Sequence, residues 1–314
     1  MEKVLITGGG GFIGGVLLNR VLNLGGSVNV VDKKCQHANV AHANLHWFQG
    51  DILDADILEA AMDGCDAVIH LAAQVSVAHS IRYPEETYTT NVQGTAQVLS
   101  TAKKLGDIRV IVASSAAVYG TNQKMPLHEE GGVEPLSPYA ESKRKNELQV
   151  LEARRDGMET VALRFFNVYG PTQSSTSAYA AVVPAFVDRM MRRERPQIFG
   201  DGRQTRDFVH VSDLADVLLL MATTSWKDVR HPVYNVASEQ EISLLDLIDE
   251  INASLKKQTN VSQKLTPVFL PAREGDIYRS VASISRLRDD FCWEPKIKFC
   301  KGIDEMVMSK LSSR

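Results

Sequence analysis

The chain has 314 residues, 44% hydrophobic and 23% charged, with a formal net charge of −3. That is enough apolar material for one large domain or two coupled ones, in the proportions of a soluble globular protein. A mildly acidic chain has no basic field to attract nucleic acid, and no apolar run is long enough to cross a bilayer. The densest basic run, Arg192-Arg193-Glu194-Arg195, is interrupted by an acid and reads as a solvated helix end. Cys35, Cys65, Cys292 and Cys300 lie far apart, with no Cys-x-x-Cys or His-x-x-x-His pair. We therefore expect reduced thiols, no metal site and, since no leader pattern opens the chain, a cytoplasmic protein.

Val4-Leu5-Ile6 is a short buried-strand signal, and Thr7-Gly8-Gly9-Gly10-Gly11-Phe12-Ile13-Gly14 follows at once. An amphipathic run with Ile13, Val16, Leu17, Val21 and Leu24 on one side comes next, completing a strand, a glycine turn and a helix. Gly8, Gly11 and Gly14 stand where a dinucleotide fold needs a tight turn, close backbone approach to pyrophosphate, and close packing of helix on strand. The phosphates would sit on the helix N-terminus, where free amides favour negative charge. The second strand, Ser27 to Val31, ends in Asp32, about 20 residues on, where an acid can accept from a ribose 2′-hydroxyl. Its charge would repel a 2′-phosphate and favours NAD over NADP, although Lys33 and Lys34 follow directly.

The alternation continues with a third strand at Leu45 to Gln49, the turn Gly50-Asp51-Ile52, and a short helix from Ile57 to Met62. A fourth strand, Ala67 to Leu71, runs into Ala72-Ala73, whose small side chains would let a cofactor lie against the backbone. His70 inside that strand reads as a core residue. Glu85 to Leu105 is a long helical stretch containing Asn91, and Arg109 to Ala113 is a fifth strand that leads into Ser114-Ser115-Ala116-Ala117. Strands alternating with helices imply a doubly wound parallel sheet of Rossmann type, with ligands outside the carboxyl ends of the strands.

In Ser137-Pro138-Tyr139-Ala140-Glu141-Ser142-Lys143, Tyr139 and Lys143 are four apart in a helical segment, so both polar heads can reach one pocket. Use of a phenol as a base near neutrality requires favouring the phenolate by about 3 units, roughly 4 kcal/mol. One ammonium about 4 Å away supplies around that amount at an effective dielectric near 20.

Beyond a sixth strand, Thr160 to Arg164, the pattern changes: an apolar helix around Val182 to Met191, strands at Pro196 to Phe199 and Phe208 to Val211, a helix from Asp213 to Met221, and a returning strand at Val233 to Val236. Helix, irregular linker (Lys256 to Thr266), short strand and C-terminal helices follow. This predicts an NAD-binding domain from residues 1–173 plus about 207–237, interleaved with a smaller substrate lobe from about 174–206 and 238–314.

Taken together, the TGGGGFIG turn, Asp51-Ile52, HLAAQ, Asn91-Val92-Gln93-Gly94-Thr95, SSAAVYG, SPYAESK, RFFNVYGP, GDGRQTRDFVHV and REGDIYRS resemble the extended short-chain dehydrogenase/reductase family. Within it they are most similar to the nucleotide-sugar epimerases and dehydratases, and the similarity covers nearly the whole chain. The resemblance implies Tyr139 as catalytic base, Lys143 as its cofactor-bound partner, and Ser115 as the hydroxyl bridging Tyr139 and the sugar oxygen. It implies NAD bound by Gly8, Gly11, Phe12, Ile13, Gly14, Asp32, Asp51, Ile52, Leu71, Ala72, Ala73, Asn91, Tyr139 and Lys143, with Asp51 and Ile52 on the adenine. Asn167, Arg206 and Arg273 would contact a sugar diphosphate, and Asp276 would lie in the same substrate site. It also implies a homodimer through the helices around Asn91 to Leu105 and Pro138 to Leu151.

Sugar 4,6-dehydratases of this family carry an Asp-Glu pair where Ala116 and Ala117 stand here, and alanines can do neither acid nor base work. The run Ala178 to Pro184, with Ala181 and Val182, resembles the substrate loop of 4-epimerases acting on UDP-N-acetylhexosamines. Ser280 aligns with the position where a bulky tyrosine restricts some epimerases to non-acetylated sugars, unless a neighbour such as Tyr278 fills that space instead. The expectation is an NAD-dependent UDP-sugar 4-epimerase working on UDP-GlcNAc/UDP-GalNAc and UDP-Glc/UDP-Gal. The alternatives are a decarboxylase, a dehydratase or an epimerase at another carbon, and, from a different class, a non-catalytic NAD-binding sensor.

Overall fold

The computed structural model describes residues 3–34, 42–106, 108–122, 124–174, 181–259, 263–272 and 277–312. The strands are β1 (Lys3–Thr7), β2 (Ser27–Asp32), β3 (Leu45–Gln49), β4 (Ala67–His70), β5 (Arg109–Ser115), β6 (Thr160–Phe165), β7 (Asn167–Tyr169), β8 (Gln197–Phe199), β9 (Thr205–Arg206), β10 (Phe208–His210), β11 (Val233–Val236), β12 (Ile242–Ser243) and β13 (Val268–Leu270). The helices are α1 (Phe12–Asn23), α2 (Ala55–Met62), α3 (Val77–Arg82), α4 (Pro84–Tyr88), α5 (Gly94–Lys104), α6 (Pro138–Arg155), α7 (Val182–Met191), α8 (Val211–Thr223), α9 (Leu244–Thr259), α10 (Ser285–Phe291) and α11 (Phe299–Ser312).

One parallel sheet of seven strands, in the order β11-β6-β5-β4-β1-β2-β3, forms the centre. Its inner strands are apolar on both sides: Val4, Leu5 and Ile6 of β1 have no exposed surface, and neither do Val110 and Ile111 of β5. Such strands need helices on both faces. α1 and α8 cover one face and α2, α5 and part of α6 the other, each bringing its own cluster of buried aliphatic side chains. The strand order reverses between β1 and β4, which opens a crevice at their carboxyl ends. A third core joins α7, α9 and α11 around Tyr169 and Phe208, beside that crevice.

Three local expectations change. The helix expected from Glu85 to Leu105 is interrupted by a π-turn, Thr89–Gln93. There the carbonyl of Asn91 accepts from Thr95 Oγ1 (2.7 Å) and from Asn146 Nδ2 (2.8 Å), so side-chain donors satisfy the widened turn. The RFFNVYGP motif contains a strand of its own, β7, because β10 pairs with it in parallel. Finally, α9 continues to Thr259 rather than ending at Lys256, its last turn held to α11 by Lys257 and Gln258 on Asp304.

α6 buries a polar face made of Ser142, Lys143, Asn146 and Glu147. Glu147 accepts from Arg164 Nε (2.7 Å) and Nη2 (2.9 Å), from Ser114 Oγ (2.7 Å) and from Arg144 (3.0 Å). Burial pushes its carboxyl up, but these donors outweigh burial and leave it below its usual value. Arg164 is held above its own usual value, because Glu147 more than offsets burial. A depressed carboxylate stabilises the fold above its unfolded pKa and loses that contribution as pH falls through the folded one. Glu147→Ala is expected to cost about 3–5 kcal/mol in denaturant unfolding, since it strands the buried Arg164. In unfolding curves recorded at decreasing pH, the variant should also lose part of the acid-side decline shown by the parent.

Candidate active site

The glycine turn is shaped for a ligand that must touch backbone. Gly8 has φ +74°, and a Cβ there would stand 2.7 Å from the Ala72 amide nitrogen. A Cβ on Gly14 would stand 2.5 Å from the Gly8 carbonyl oxygen, so only glycine lets α1 approach β1 this closely. Gly11 caps α1 in an extended conformation without a side-chain acceptor, and Phe12 and Ile13 open the helix. The first-turn amides are thereby presented to an anion. At the end of β2 the Asp32 carboxylate accepts from Gly10 N and Lys34 N, both at 3.0 Å, which fixes it at the rim.

Lys33, the residue that clouded the choice of cofactor, is drawn away to Asp51 at 2.9 Å. Burial raises the Asp51 carboxyl, but Lys33 and the Leu53 amide more than offset it, so Asp51 stays ionised. Gly8, Asp32, Asp51, Ile52, Ala72 and Ala73 line one cavity of about 560 Å³ at the switch point. Leu71 is not among the lining residues; its amide is bonded to the Thr7 carbonyl (3.1 Å), which holds the start of the Ala72-Ala73 segment against β1. These residues fit a dinucleotide: small side chains, a helix N-terminus for phosphate and a fixed carboxylate for a ribose hydroxyl.

The residues expected to transfer protons meet at the carboxyl end of β5 and the first turns of α6. Ser137 caps α6 by accepting from Ala140 N (3.2 Å), and Pro138 follows at the first helical position, where it removes no needed donor. Tyr139 therefore lies in the first turn, its amide bonded to Ser80 Oγ (3.1 Å) and its phenol facing the Ser115 hydroxyl. One turn later Lys143 is buried and donates to the Ala113 carbonyl at 2.8 Å. Burial pushes its ammonium down to about 8.

The expectation that this ammonium alone brings the phenol towards neutrality is not met within the protein. Burial raises Tyr139, with the Ser115 hydroxyl as the group that opposes it, and Lys143 is directed at a carbonyl instead. His70 is a core residue as read, bonded to Thr7 Oγ1 (2.7 Å) and Thr95 Oγ1 (3.0 Å) and pushed down to about 3 by burial and by Lys143. Asn91 is buried and knots the region: its side chain accepts from Gln74 N (2.7 Å) and donates to Gln74 O (3.0 Å) and Ser142 Oγ (2.9 Å).

On the far side of the crevice Asn167, Ala181, Val182, Phe199, Arg206 and Phe208 line a second cavity of about 690 Å³. Asn167 is steered by its Nδ2 bond to the Asp207 carbonyl (3.1 Å), and Arg206 Nη1 donates to Thr205 O (2.8 Å). Ser280 is buried on the neighbouring segment, whereas Tyr278 is 59% exposed and directs its hydroxyl to Asp201 (3.1 Å). Arg273 and Asp276 lie outside the described residues, as do 175–180 of the expected substrate loop. Sequence reasoning missed Glu147 and Asp207, and read Ser114 as a strand-end residue of the crevice without its bond to Glu147. Their buried partners come from distant strands and loops, so no local pattern marks them.

A sequence profile described as the NAD dependent epimerase/dehydratase family matches residues 4–237. A putative UDP-glucose 4-epimerase of Methanocaldococcus jannaschii is 32% identical over 97% of this chain and 97% of its own length. UDP-glucuronic acid decarboxylase 1 of Arabidopsis thaliana is 30% identical over 97% of this chain and 69% of its own. Among solved structures, UDP-N-acetylglucosamine 4-epimerase from Methanobrevibacter ruminantium, in complex with UDP-N-acetylmuramic acid, superimposes with a TM-score of 0.91. It is 34% identical, covering 100% of this chain and 99% of its own. With this match along its length and a dinucleotide cradle at the switch point, the chain belongs to the NAD dependent epimerase/dehydratase family.

Proposed function

We propose that this chain is a cytoplasmic, homodimeric UDP-sugar 4-epimerase that interconverts gluco and galacto forms, including the N-acetylated pair. The observation that carries the reading is the half-buried Tyr139 phenol facing the Ser115 hydroxyl at the carboxyl end of β5, with the buried Lys143 one turn away on α6. Bound NAD supplies a reversible two-electron acceptor for the sugar C4. Tyr139, as phenolate, takes the proton of the 4-hydroxyl, and Ser115 holds that oxygen in line. Lys143 supplies the cationic surroundings that favour the phenolate once the ribose is in place. Once the 4-ketosugar has turned its other face, Tyr139 would give the proton back to O4 as the hydride held on the cofactor returned to C4 from the opposite side, which would invert that centre.

Ala116 and Ala117 occupy the short turn after Ser115 and bring no acid or base towards C5 and C6, which argues against dehydration. Relatives include decarboxylases as well as 4-epimerases, so the product decides between those two outcomes. Tyr278 faces outward, so its ring does not crowd the small Ser280, which supports acceptance of an acetamido group. Exposed Tyr88 and Leu148 on α4 and α6, with Leu105 just past α5, support a dimer face on those helices.

Incubation of the protein with UDP-GlcNAc, without added cofactor, should yield UDP-GalNAc by NMR; pentose products from UDP-glucuronate would support the decarboxylase instead. Tyr139→Phe should lower turnover by about 10²–10⁴ while nucleotide-sugar binding is retained. A tyrosine placed at 280 (Ser280→Tyr) should suppress turnover of UDP-GlcNAc far more than that of UDP-Glc. Gly8→Val should release NAD on purification, read as loss of nucleotide in the denatured supernatant, because both the positive φ and the Ala72 amide exclude a side chain.

A further inference from the structure

Asp207 is completely buried between Arg206 and Phe208, both of which line the second cavity. Its Oδ1 accepts from Ser238 N (2.7 Å) and Ser238 Oγ (2.8 Å), and its Oδ2 from Glu239 N (3.0 Å) and Ala282 N (3.2 Å). Its carbonyl oxygen accepts twice more, from Asn167 N (3.0 Å) and Asn167 Nδ2 (3.1 Å). One residue therefore ties together the β7 strand that bears Asn167, the loop after β11, and the segment that bears Ser280.

The register is informative. Thr205 N donates to Tyr278 O at 2.9 Å, and Ala282 N donates to Asp207 Oδ2 at 3.2 Å. Residues 205–207 and 278–282 are thus stitched at both ends, with Arg206 between the stitches on one segment and Arg279, Ser280 and Val281 on the other, Ser280 midway. A second brace lies outside them, where Glu241 accepts from Thr205 Oγ1 (3.0 Å) and from Arg279 Nη2 (2.7 Å). The outer brace is exposed, whereas the Asp207 carboxylate is sealed from water and works at low dielectric, where charge-assisted hydrogen bonds are strongest.

Resting on the UDP-sugar reading above, we infer that Asp207 is a positioning residue for substrate: its carboxylate sets Ser280 opposite Arg206 and orients the Asn167 amide. It touches neither substrate nor cofactor, and the Tyr139 site lies on other elements. Its loss should therefore weaken binding of the nucleotide sugar and leave the chemical step nearly intact.

The test is Asp207→Asn, which keeps the shape but turns an amide N–H towards backbone donors. KM for UDP-GlcNAc is expected to rise about ten-fold, the effect of one lost charge-assisted hydrogen bond, with kcat within about three-fold and the NAD content unchanged. An unchanged KM, or a fall in kcat equal to the fall in kcat/KM, overturns the inference. Should that variant fail to fold, Ser238→Ala removes one of the four donors and is expected to raise KM about three-fold; an unchanged KM in folded Ser238→Ala overturns it equally. Calorimetric titration with UDP needs no turnover. If the parent converts no UDP-sugar, the proposed function fails, while weaker UDP binding by Asp207→Asn still upholds the positioning role and equal binding rejects it.

Discussion

The structure depends on the docking of α6, a helix that buries polar side chains. A helix that places Ser142, Lys143, Asn146 and Glu147 against a sheet is unstable unless each finds a partner there. Lys143 takes the Ala113 carbonyl, Asn146 takes the Asn91 carbonyl, and Ser142 donates to Tyr139 O while accepting from Asn91. Glu147 takes Arg164 and Ser114, which stand side by side on β6 and β5. Because Ser114 precedes Ser115 and Glu147 follows Lys143 by one turn, this pairing also sets how Tyr139 meets Ser115. The geometry of the candidate site and the docking of the helix are consequently one constraint.

The same arrangement explains the electrostatics of the site. A phenol and an ammonium buried in one wall both lose hydration, so each shifts towards its neutral form, Tyr139 upward and Lys143 down to about 8. Close charges elsewhere are already matched: Lys33 with Asp51, and Arg164 with Glu147. That leaves the wall around Tyr139 with a hydroxyl, a cation and a neutral His70. With burial raising Tyr139, this wall keeps the phenol protonated, and removing its proton calls for the cationic surroundings that Lys143 and a bound cofactor would supply together.

Much of this was legible from the residues. The βαβ alternation, the glycine turn, Asp32 at the end of β2 and the Tyr139 and Lys143 spacing are local patterns set by periodicity and by backbone sterics. They survive in the structure nearly residue for residue. What was not legible has a common cause. The π-turn at Asn91 exists because Asn146 and Thr95 supply donors to its carbonyl, and Asn146 comes from a helix 55 residues later. β7 is a strand only because β10 lies beside it. The partners of Asp207 lie 31, 32 and 75 residues away in the chain.

By itself, the sequence determined the class of fold and nominated the candidate reactive groups. A period of two or of 3.6, a glycine at positive φ and a tyrosine four residues before a lysine are properties of short segments. The tertiary structure decided which charges are spent and which remain for chemistry. It paired Lys33 with Asp51, turned Lys143 to a carbonyl, faced Tyr278 outward and stitched Ser280 opposite Arg206. Each of these depends on the distance and burial between residues remote in sequence, and electrostatic energies follow separation and local dielectric rather than order along the chain.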